Sequence, residues 1–464
     1  MPSNHVKSFL RGIHLEDYKD ETSRMAIQRF PFAPLLILPL KQNAGRAPKP
    51  VVRQGQEVTR GQLIAEPDGD FSVALHAPES GIIKKIDLVA TISGQMEPGI
   101  YLQSYPGSTQ EVVNGQPCDW KTATPEQIVK AIQDAGIVGL GGAAFPTHAK
   151  LIPPRDEPVD TLIINGAECE PYLTTDHRVM LEQTADIMMG IRYLLKATGA
   201  DKAIIGVEAN KPDAYAALCD AAKQQPNVAV EEVTAKYPQG AAKILINALT
   251  GREVPSGAHT SAIGVIVCNV ATTAEIGRLL PHGRGIQERV ITVGGPAIKD
   301  KGNYRIPIGT PLRFVLDTAG ATDNLSRVFL GGPMMGNAAP NLDISITKGV
   351  SGVIAFTERE IPKSNKVYQC IHCGYCVDVC PLGLNPSMLG LLASVQQYQQ
   401  MLERYHLKDC FECGACSFIC PSHIPLVQQF RIAKTMLRRL KATQNQQAQQ
   451  TQQDKNEKPD KSAA

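Results

Sequence analysis

Tryptophan occurs once in this chain, and Phe, Tyr and Trp together make up only 5% of it. That scarcity leaves little material for the aromatic platforms on which bases or sugars stack. An excess of one charge is also missing. Forty-seven Lys and Arg stand against 45 Asp and Glu, a formal net charge of +2. Such a balance gives no electrostatic footprint for nucleic acid. Long apolar runs are absent as well. The most apolar early stretch, Pro31 to Leu40, contains three prolines, and it is about half the ~20 residues needed to cross a bilayer. Met1 to Arg11 is polar and lacks the apolar centre of a signal peptide. A membrane role is therefore expected to come through partners.

The chain is long, at 464 residues, which exceeds one ordinary core and suggests several domains. Hydrophobic residues at 43% and charged residues at 20% fit globular structure. Cysteine is the informative residue. Of 12, eight fall between Cys370 and Cys420, while Cys118, Cys169, Cys219 and Cys268 are scattered. A disulfide framework would spread its cysteines through a small secreted domain. Two tight clusters point to metal or iron–sulfur ligation instead.

Both clusters fit C-x2-C-x2-C-x3-C-P: Cys370, Cys373, Cys376, Cys380 with Pro381, and Cys410, Cys413, Cys416, Cys420 with Pro421. This is the bacterial ferredoxin spacing, in which the fourth Cys ligates the other cluster. Three close thiolates wrap three corners of a cubane, and the fourth corner is met from a distant segment. Cys370, Cys373, Cys376 and Cys420 are thus assigned to one [4Fe–4S] cluster, and Cys410, Cys413, Cys416 and Cys380 to the other. A zinc ribbon needs two pairs per metal, not two four-Cys runs. Two neighbouring clusters form an electron wire, which requires a donor and an acceptor.

Upstream, the pattern divides. Val51 to Ile86 reads as short strands punctuated by Gly55, Gly61, Gly69 and Gly81. Its Gly55–Ile64 and His76–Ile83 runs resemble biotinyl and lipoyl domains, which fold as a barrel-sandwich hybrid. No Lys lies between Arg60 and Lys84 to carry a swinging arm. From Thr124 helices and strands alternate. Thr124-Pro125-Glu126-Gln127 is a capping box with Pro at the first helical position, and Gly136 suits the helix end. Strands are expected at Thr161–Asn165, Ala203–Val207, Val228–Val233 and Ala262–Val267. Helices are expected at His177–Ala197, Ala214–Lys223 and Ala241–Leu249. That order implies a mostly parallel sheet with ligand loops at strand ends. Val290 to Phe356 returns to β character and is similar to the soluble-ligand-binding β-grasp (SLBB) domain. Val427 to Leu440 is a basic amphipathic helix with Arg431, Lys434, Arg438 and Arg439, either solvated or docked on an acidic partner or anionic lipid. Beyond about Ala442 the Gln-, Asp- and Lys-rich sequence is expected to be disordered.

Between the capped helix and the first strand lies Gly139-Leu140-Gly141-Gly142-Ala143-Ala144-Phe145-Pro146-Thr147-His148-Ala149-Lys150. Glycines let backbone N–H groups approach a phosphate, and Lys150 supplies a compensating charge. The strand leads into Asn165-Gly166-Ala167-Glu168-Cys169-Glu170-Pro171. Together these runs resemble the flavin- and NADH-binding subunit of respiratory complex I. The order of parts, followed by the two Cys runs, resembles the RnfC family, a component of Rnf (Rsx) ion-translocating electron-transport complexes, over roughly residues 10 to 440.

The resemblance implies noncovalent FMN, NADH as substrate, and two [4Fe–4S] clusters. Gly139, Gly141, Gly142 and Lys150 match its phosphate and ribityl loop, and Phe145 an aromatic near the nucleotide. Asn165 and Glu168 match flavin-contacting positions, Glu170 a nicotinamide-side carboxylate with a catalytic role, and Asn269 and Thr272 a later flavin-phosphate segment. It departs at Ala167, where complex I has Asp, and at Gly240-Ala241-Ala242, where complex I has Gly-Glu-Glu; both bear on NADH more than on FMN. Lys243 and Arg252 are either phosphate contacts or exposed bases, and Glu231-Glu232 reads as a strand end. The implied protein is an NADH-linked oxidoreductase subunit of an ion-translocating complex. It would sit peripherally on the cytoplasmic face of the bacterial inner membrane, with a ferredoxin-like iron–sulfur subunit among its partners. An NADH-dependent cobalamin reductase and a non-catalytic cluster-carrying adaptor are the alternatives.

The expected fold is α/β and α+β multidomain. It comprises a barrel-sandwich hybrid (1–120), a Rossmann-like FMN domain (121–287), an SLBB β-grasp domain (288–358), a two-cluster ferredoxin-like helical domain (359–442) and a disordered tail (443–464).

Overall fold

The structure, a computed structural model, describes residues 6–105, 107–154, 156–361 and 366–456. The chain forms two compact units. The first comprises Met1–Phe9 and His14–Lys363, the second Leu10–Ile13 and Ser364–Ala464.

The first unit opens with two small sheets. β1 (Leu35–Pro39), β2 (Gly81–Ala90) and β3 (Met96–Ser104) pair antiparallel with Glu57–Val58, while Lys49–Pro50, Leu63–Glu66 and Leu75–His76 form a second sheet. Leu36, Ile64, Ile83, Ile100 and Leu102 fill the space within them.

The central layer follows. Helix α1 (Pro125–Asp134) begins with the capping box: the Gln127 N–H donates to Thr124 Oγ1, and the Thr124 N–H donates to Gln127 Oε1. Its chain leaves through Gly136 at φ 72°, a conformation that favours glycine. Strands β4 (Thr161–Gly166), β5 (Lys202–Glu208), β6 (Val228–Val233) and β7 (Val265–Asn269) form an all-parallel sheet in the order β6-β5-β4-β7. Leu162, Ile163 and Ile164 are consecutively buried because helices cover both faces. Those helices include α2 (Thr175–Glu182), α3 (Thr184–Thr198), α4 (Pro212–Ala222), α5 (Ala242–Thr250) and α6 (Val270–Leu279).

A six-stranded sheet completes the unit. It contains β8 (Glu288–Gly294), β9 (Gly302–Pro307), β10 (Leu325–Leu330) and β11 (Gly352–Thr357), with helix α7 (Leu312–Thr318) packed into the same core.

The second unit is helical: α8 (Tyr375–Asp378), α9 (Pro386–Ser394), α10 (Ala415–Phe418) and α11 (Leu426–Asn456) surround Leu389, Met401, Leu407, Leu426 and Phe430.

Three expectations need correction. The helix expected at His177–Ala197 is two, broken at Gln183 (φ −125°, ψ 29°). Neither Gly nor Pro marks the break. It is tertiary in origin, beside Glu182, whose carboxylate accepts the Ile27 N–H. The tail expected to be disordered from residue 443 continues helix α11 to Asn456; no Gly or Pro interrupts residues 426–456, and Gln, Ala and Lys sustain a helix once its first turns are packed. The rest of the tail lies outside the described residues. Finally, the N-terminal segment does not belong to the barrel-sandwich sheets. Lys7 bridges to Val233 on β6, Gln28–Arg29 pairs with β9, and Leu10–Ile13 joins the second unit, where the Gly12 N–H donates to Val379 O. These are long-range pairings with no local signature.

Helices α3 and α6 approach unusually closely. A Cβ on Gly190 would stand 1.9 Å from Thr273 O, and one on Gly277 would stand 1.9 Å from Asp186 O. Gly190→Ala or Gly277→Ala must push the helices apart and should cost about 1–3 kcal/mol or more. The expected result is a lower midpoint for the first unit in thermal or denaturant unfolding, with the second unit's helical signal retained.

Candidate cofactor sites

The carboxyl ends of β4 and β7 carry Asn165 and Asn269, adjacent across the sheet. Ligands of parallel sheets bind at such strand ends. The Gly139–Phe145 loop is closed by the Gly139 N–H donating to Phe145 O at 2.8 Å, and it crosses the start of α6. There the Leu140 N–H donates to Thr272 Oγ1 at 2.9 Å. A Cβ on Gly141 would meet Asn269 Cβ at 3.3 Å. Gly142 is exposed, at φ +106°, with no heavy atom within 4 Å of a Cβ placed there. Among the described residues, the N–H groups of Gly141, Gly142 and Ala143 have no protein acceptor. Uncommitted N–H groups beside the first turn of a ten-residue helix suit an anionic phosphate.

The structure thus brings together Gly139, Gly141, Gly142, Asn269 and Thr272. Lys150 lies along β7, its Nζ donating to Val267 O at 3.0 Å. Phe145 is half-buried and packs edge-on against Phe71, centroids 6.2 Å apart.

The carboxylates and amides behind the loop are committed to one another. Asn269 Oδ1 caps α6 by accepting the Thr272 N–H, and its Nδ2 donates to Asp176 Oδ2 at 2.7 Å. Asn165 Nδ2 donates to Gly240 O at 2.8 Å, and its Oδ1 accepts the Ala167 N–H. Glu168 caps α2, accepting the Asp176 N–H at 2.8 Å and the His177 N–H at 3.3 Å. Burial, then the nearby Glu168 carboxylate, push the Asp176 carboxyl up. Glu170 accepts the Met335 N–H at 2.7 Å and the Met334 N–H at 3.0 Å, which pins the loop after β10. Burial pushes its carboxyl up to about 7, against the pull of those two N–H groups.

Where complex I carries extra carboxylates, this chain packs backbone. A Cβ on Gly240 would lie 2.3 Å from Ala167 O, and the Gly240 N–H donates to the buried Cys169 thiol. Arg252 is ion-paired with Asp160 at 2.9 Å. Glu231 and Glu232 lie in β6, with Glu231 3.3 Å from Lys7.

Several supporting residues carry no motif in the sequence. Arg289, fully buried, donates to Leu140 O at 2.9 Å and Val350 O at 3.0 Å, tying the glycine loop to the six-stranded sheet. Lys348 donates to Gly136 O at 2.8 Å and Ala74 O at 2.7 Å, and burial pulls its ammonium down to about 7. Lys19 donates to Glu168 O and Leu173 O. Of these, Lys348 alone stands out locally, as a basic residue after the run Ile344-Ser345-Ile346-Thr347; Lys19 lies in a charged run and Arg289 follows Glu288.

In the second unit the two Cys runs adopt the same backbone path. His372 and Glu412, before the second Cys of each run, have φ 55° and 63°; Gly374 and Gly414, after it, have φ 82° and 87°. These left-handed residues give both loops the same two sharp bends. Cys370, Cys373, Cys376 and Cys420 line one cavity of about 460 Å³, the grouping expected from spacing. The Cys376 thiol is raised by burial and by Cys420, Cys373 and Cys370. Cys413 is pushed up to about 12 by burial, with Cys410 and Cys380 adding to it. Cys420 thus shares a cavity with the three leading cysteines of the first run, and Cys380 lies close enough to Cys410 and Cys413 to raise the Cys413 thiol. Among the described residues, no three His, Cys, Asp or Glu converge as a single metal ion would require. Four soft thiolates around a cavity fit an iron–sulfur cubane.

Of the basic residues on α11, Arg431 pairs with Glu412 at 3.0 Å and Lys434 at 2.8 Å, and Lys434 also donates to Cys410 O.

Four domain families match in chain order: the RnfC barrel sandwich hybrid domain at residues 7–104, the Nuo51 FMN-binding domain at 132–278, the SLBB domain at 290–338 and the 4Fe-4S dicluster domain at 369–424. The chain is 39% identical over 439 residues to the C component of the proton-translocating ferredoxin:NAD(+) oxidoreductase complex of Clostridium ljungdahlii, covering 93% of this chain and 94% of that one. This chain belongs to the RnfC family of ion-translocating oxidoreductase components. It is also 39% identical to the C component of the Na(+)-translocating ferredoxin:NAD(+) oxidoreductase complex of Acetobacterium woodii, covering 92% of this chain and 96% of that one. The C component of the ion-translocating oxidoreductase complex of Haemophilus influenzae strain PittEE is 40% identical, but the match spans only 68% of that longer chain. As a member of the RnfC family, the chain is an oxidoreductase subunit of an electron-transport, ion-translocating complex, with an FMN domain and a 4Fe-4S domain. The four-part architecture expected from the sequence stands. Among the described residues no helix is long and apolar enough to cross a membrane.

Glu170 offers a test of the buried network. Its carboxyl sits near 7 in the fold, against an ordinary value of 4.5. Between those values the folded chain holds a proton that the unfolded chain releases, so this group's contribution to stability falls as pH rises from about 4.5 to 7. Glu170→Gln should flatten that part of the profile. The check is the unfolding midpoint of wild type and variant from pH 5 to 8, where wild type should lose stability relative to the variant as pH rises to about 7.

Proposed function

We propose that the chain exchanges a hydride with NAD(H) at a noncovalent FMN and relays single electrons through two [4Fe–4S] clusters to partner subunits, a ferredoxin-like iron–sulfur subunit among them. It acts peripherally on the cytoplasmic face of a bacterial inner membrane. The observation that carries this reading is the pairing of two kinds of site on one chain. One is a glycine loop with free N–H groups at a parallel sheet's carboxyl edge, and the other is a repeated four-Cys run, four of whose thiols line one cavity. FMN, when bound, supplies the exchange between two-electron and one-electron chemistry.

The chain's own residues then divide the work. Gly141 and Gly142 offer backbone N–H groups and the space to reach them, and Gly139 closes the loop through its N–H to Phe145 O. Asn269 and Thr272 hold the loop against the start of α6, and Lys150 adds positive charge nearby. Phe145 packs against Phe71 at the loop's end. Asn165 and Glu168 orient the backbone behind the flavin, each through two hydrogen bonds. Glu170, on the nicotinamide side by resemblance, fixes the Met334–Met335 backbone there. Cys370, Cys373, Cys376 and Cys420 hold one cluster, and Cys410, Cys413, Cys416 and Cys380 hold the other. Attachment to the membrane through partners agrees with the lack of a spanning helix among the described residues.

The test is an anaerobic titration of the reconstituted full chain with NADH. The expected result is about eight irons, bleaching of flavin absorbance, and appearance of reduced-cluster signals in the same titration. Protein with its full iron but no flavin, and no cluster reduction by NADH, overturns the reading in favour of a cluster-carrying adaptor.

A further inference from the structure

The two Cys runs are separated by 40 residues throughout, so the unit contains an internal comparison. Position for position, Cys370 corresponds to Cys410, His372 to Glu412, Leu391 to Arg431 and Ser394 to Lys434. The helices after the two runs, α9 and α11, occupy corresponding places. Leu391 and Ser394 on α9 line the cavity of Cys370, Cys373, Cys376 and Cys420. Arg431 and Lys434 on α11 reach the loop that begins at Cys410. The same fold thus presents one group of thiols with an aliphatic and a hydroxyl side chain, and the other with two cations.

The cations are held in place. Glu412 accepts from Lys434 Nζ at 2.8 Å and from Arg431 Nε at 3.0 Å. Lys434 also donates to the carbonyl of Cys410, the first ligand of its run. The lysine side chain is only 16% exposed, so water screens its charge weakly. Elsewhere in the unit, Arg11 is exposed and reaches Val377 O, between ligands assigned to both groups, so it does not distinguish them.

Reduction adds one electron, and so one negative charge, to a cluster. A fixed cation close by favours the reduced form and raises the reduction potential; potentials respond to local charge, hydrogen bonding and exposure. We propose that Lys434 is a positioning residue that raises the potential of the cluster held by Cys410, Cys413, Cys416 and Cys380 and leaves the other cluster untouched, with Glu412 limiting its effect. The two clusters are then unequal steps for an electron, and the inequality is written in α11. This rests on the two-cubane reading given above.

The test is a redox titration of the anaerobically reconstituted full chain at constant pH, with each cluster's one-electron couple followed by EPR. Lys434→Gln should shift one couple down, lowering its reduced-to-oxidised ratio at the wild-type midpoint about tenfold, which is ~59 mV for one electron. The second couple should stay. Lys434→Arg should retain the wild-type value. Glu412→Gln should move the same couple upward, and Ser394→Lys should move the other couple upward. A role in packing alone would move the couple in the same direction in Lys434→Gln and Glu412→Gln, and that result overturns the proposal. So does a common shift of both couples, or no shift with iron content intact. Should Lys434→Gln fail to hold its iron, the Glu412→Gln and Ser394→Lys shifts decide. Wild-type protein that shows no pair of one-electron couples fails the two-cubane reading itself, before any variant is compared.

Discussion

A doubly charged phosphate held without a covalent bond has to be met by hydrogen-bond donors that water does not already satisfy, and the backbone is the cheapest source of them. That requirement shapes the first unit. It calls for a loop without side chains, laid beside a helix start, and for a rigid mount beneath both. The Gly139–Phe145 loop supplies the first. The mount is a closed set of polar contacts: Thr272 to Leu140, Asn269 to Asp176, Glu168 to the start of α2, and Arg289 to Leu140 O. Each of these groups is buried or partly buried, so each contact left unmade would cost on the order of 1–3 kcal/mol. The site's geometry and the unit's stability therefore draw on the same bonds.

The second unit answers a different demand. Thiolates that surround a cubane must approach from several directions, and one short loop covers only three corners. In the proposed reading the repeated run solves this by exchange: Cys420 shares the cavity of the first group, and Cys380 would complete the second. The repeat also frees its second copy to differ from the first. His372 and Leu391 in one become Glu412 and Arg431 in the other, without a change in the loop's backbone.

Much of this was legible in the sequence because its signals are local. The capping box at Thr124, the strands of the parallel sheet, the glycine loop and the Cys spacings all depend on residues close in the chain. What escaped depends on residues far apart. The break at Gln183 has no Gly or Pro to announce it. The N-terminal residues spread across β6, β9 and the second unit, pairings that no local pattern announces. Arg289, Lys348 and Lys19 hold backbone carbonyls from 100 or more residues away, and buried lysines and arginines have no periodicity to betray them. The carboxylates Glu168 and Glu170 were visible as part of a run. Their work as helix cap and loop clamp follows from tertiary structure alone.

Seating of FMN by the glycine loop against the start of α6 is the central claim. The most direct measurement is FMN affinity, by fluorescence quenching of the reconstituted full chain, for wild type and for Gly141→Val. A Cβ at 141 already stands 3.3 Å from Asn269 Cβ, and the branched side chain has to fill the cradle. The predicted result is at least a tenfold loss of FMN affinity with the iron content of wild type. Flavin bound as tightly by the variant as by wild type would contradict the claim.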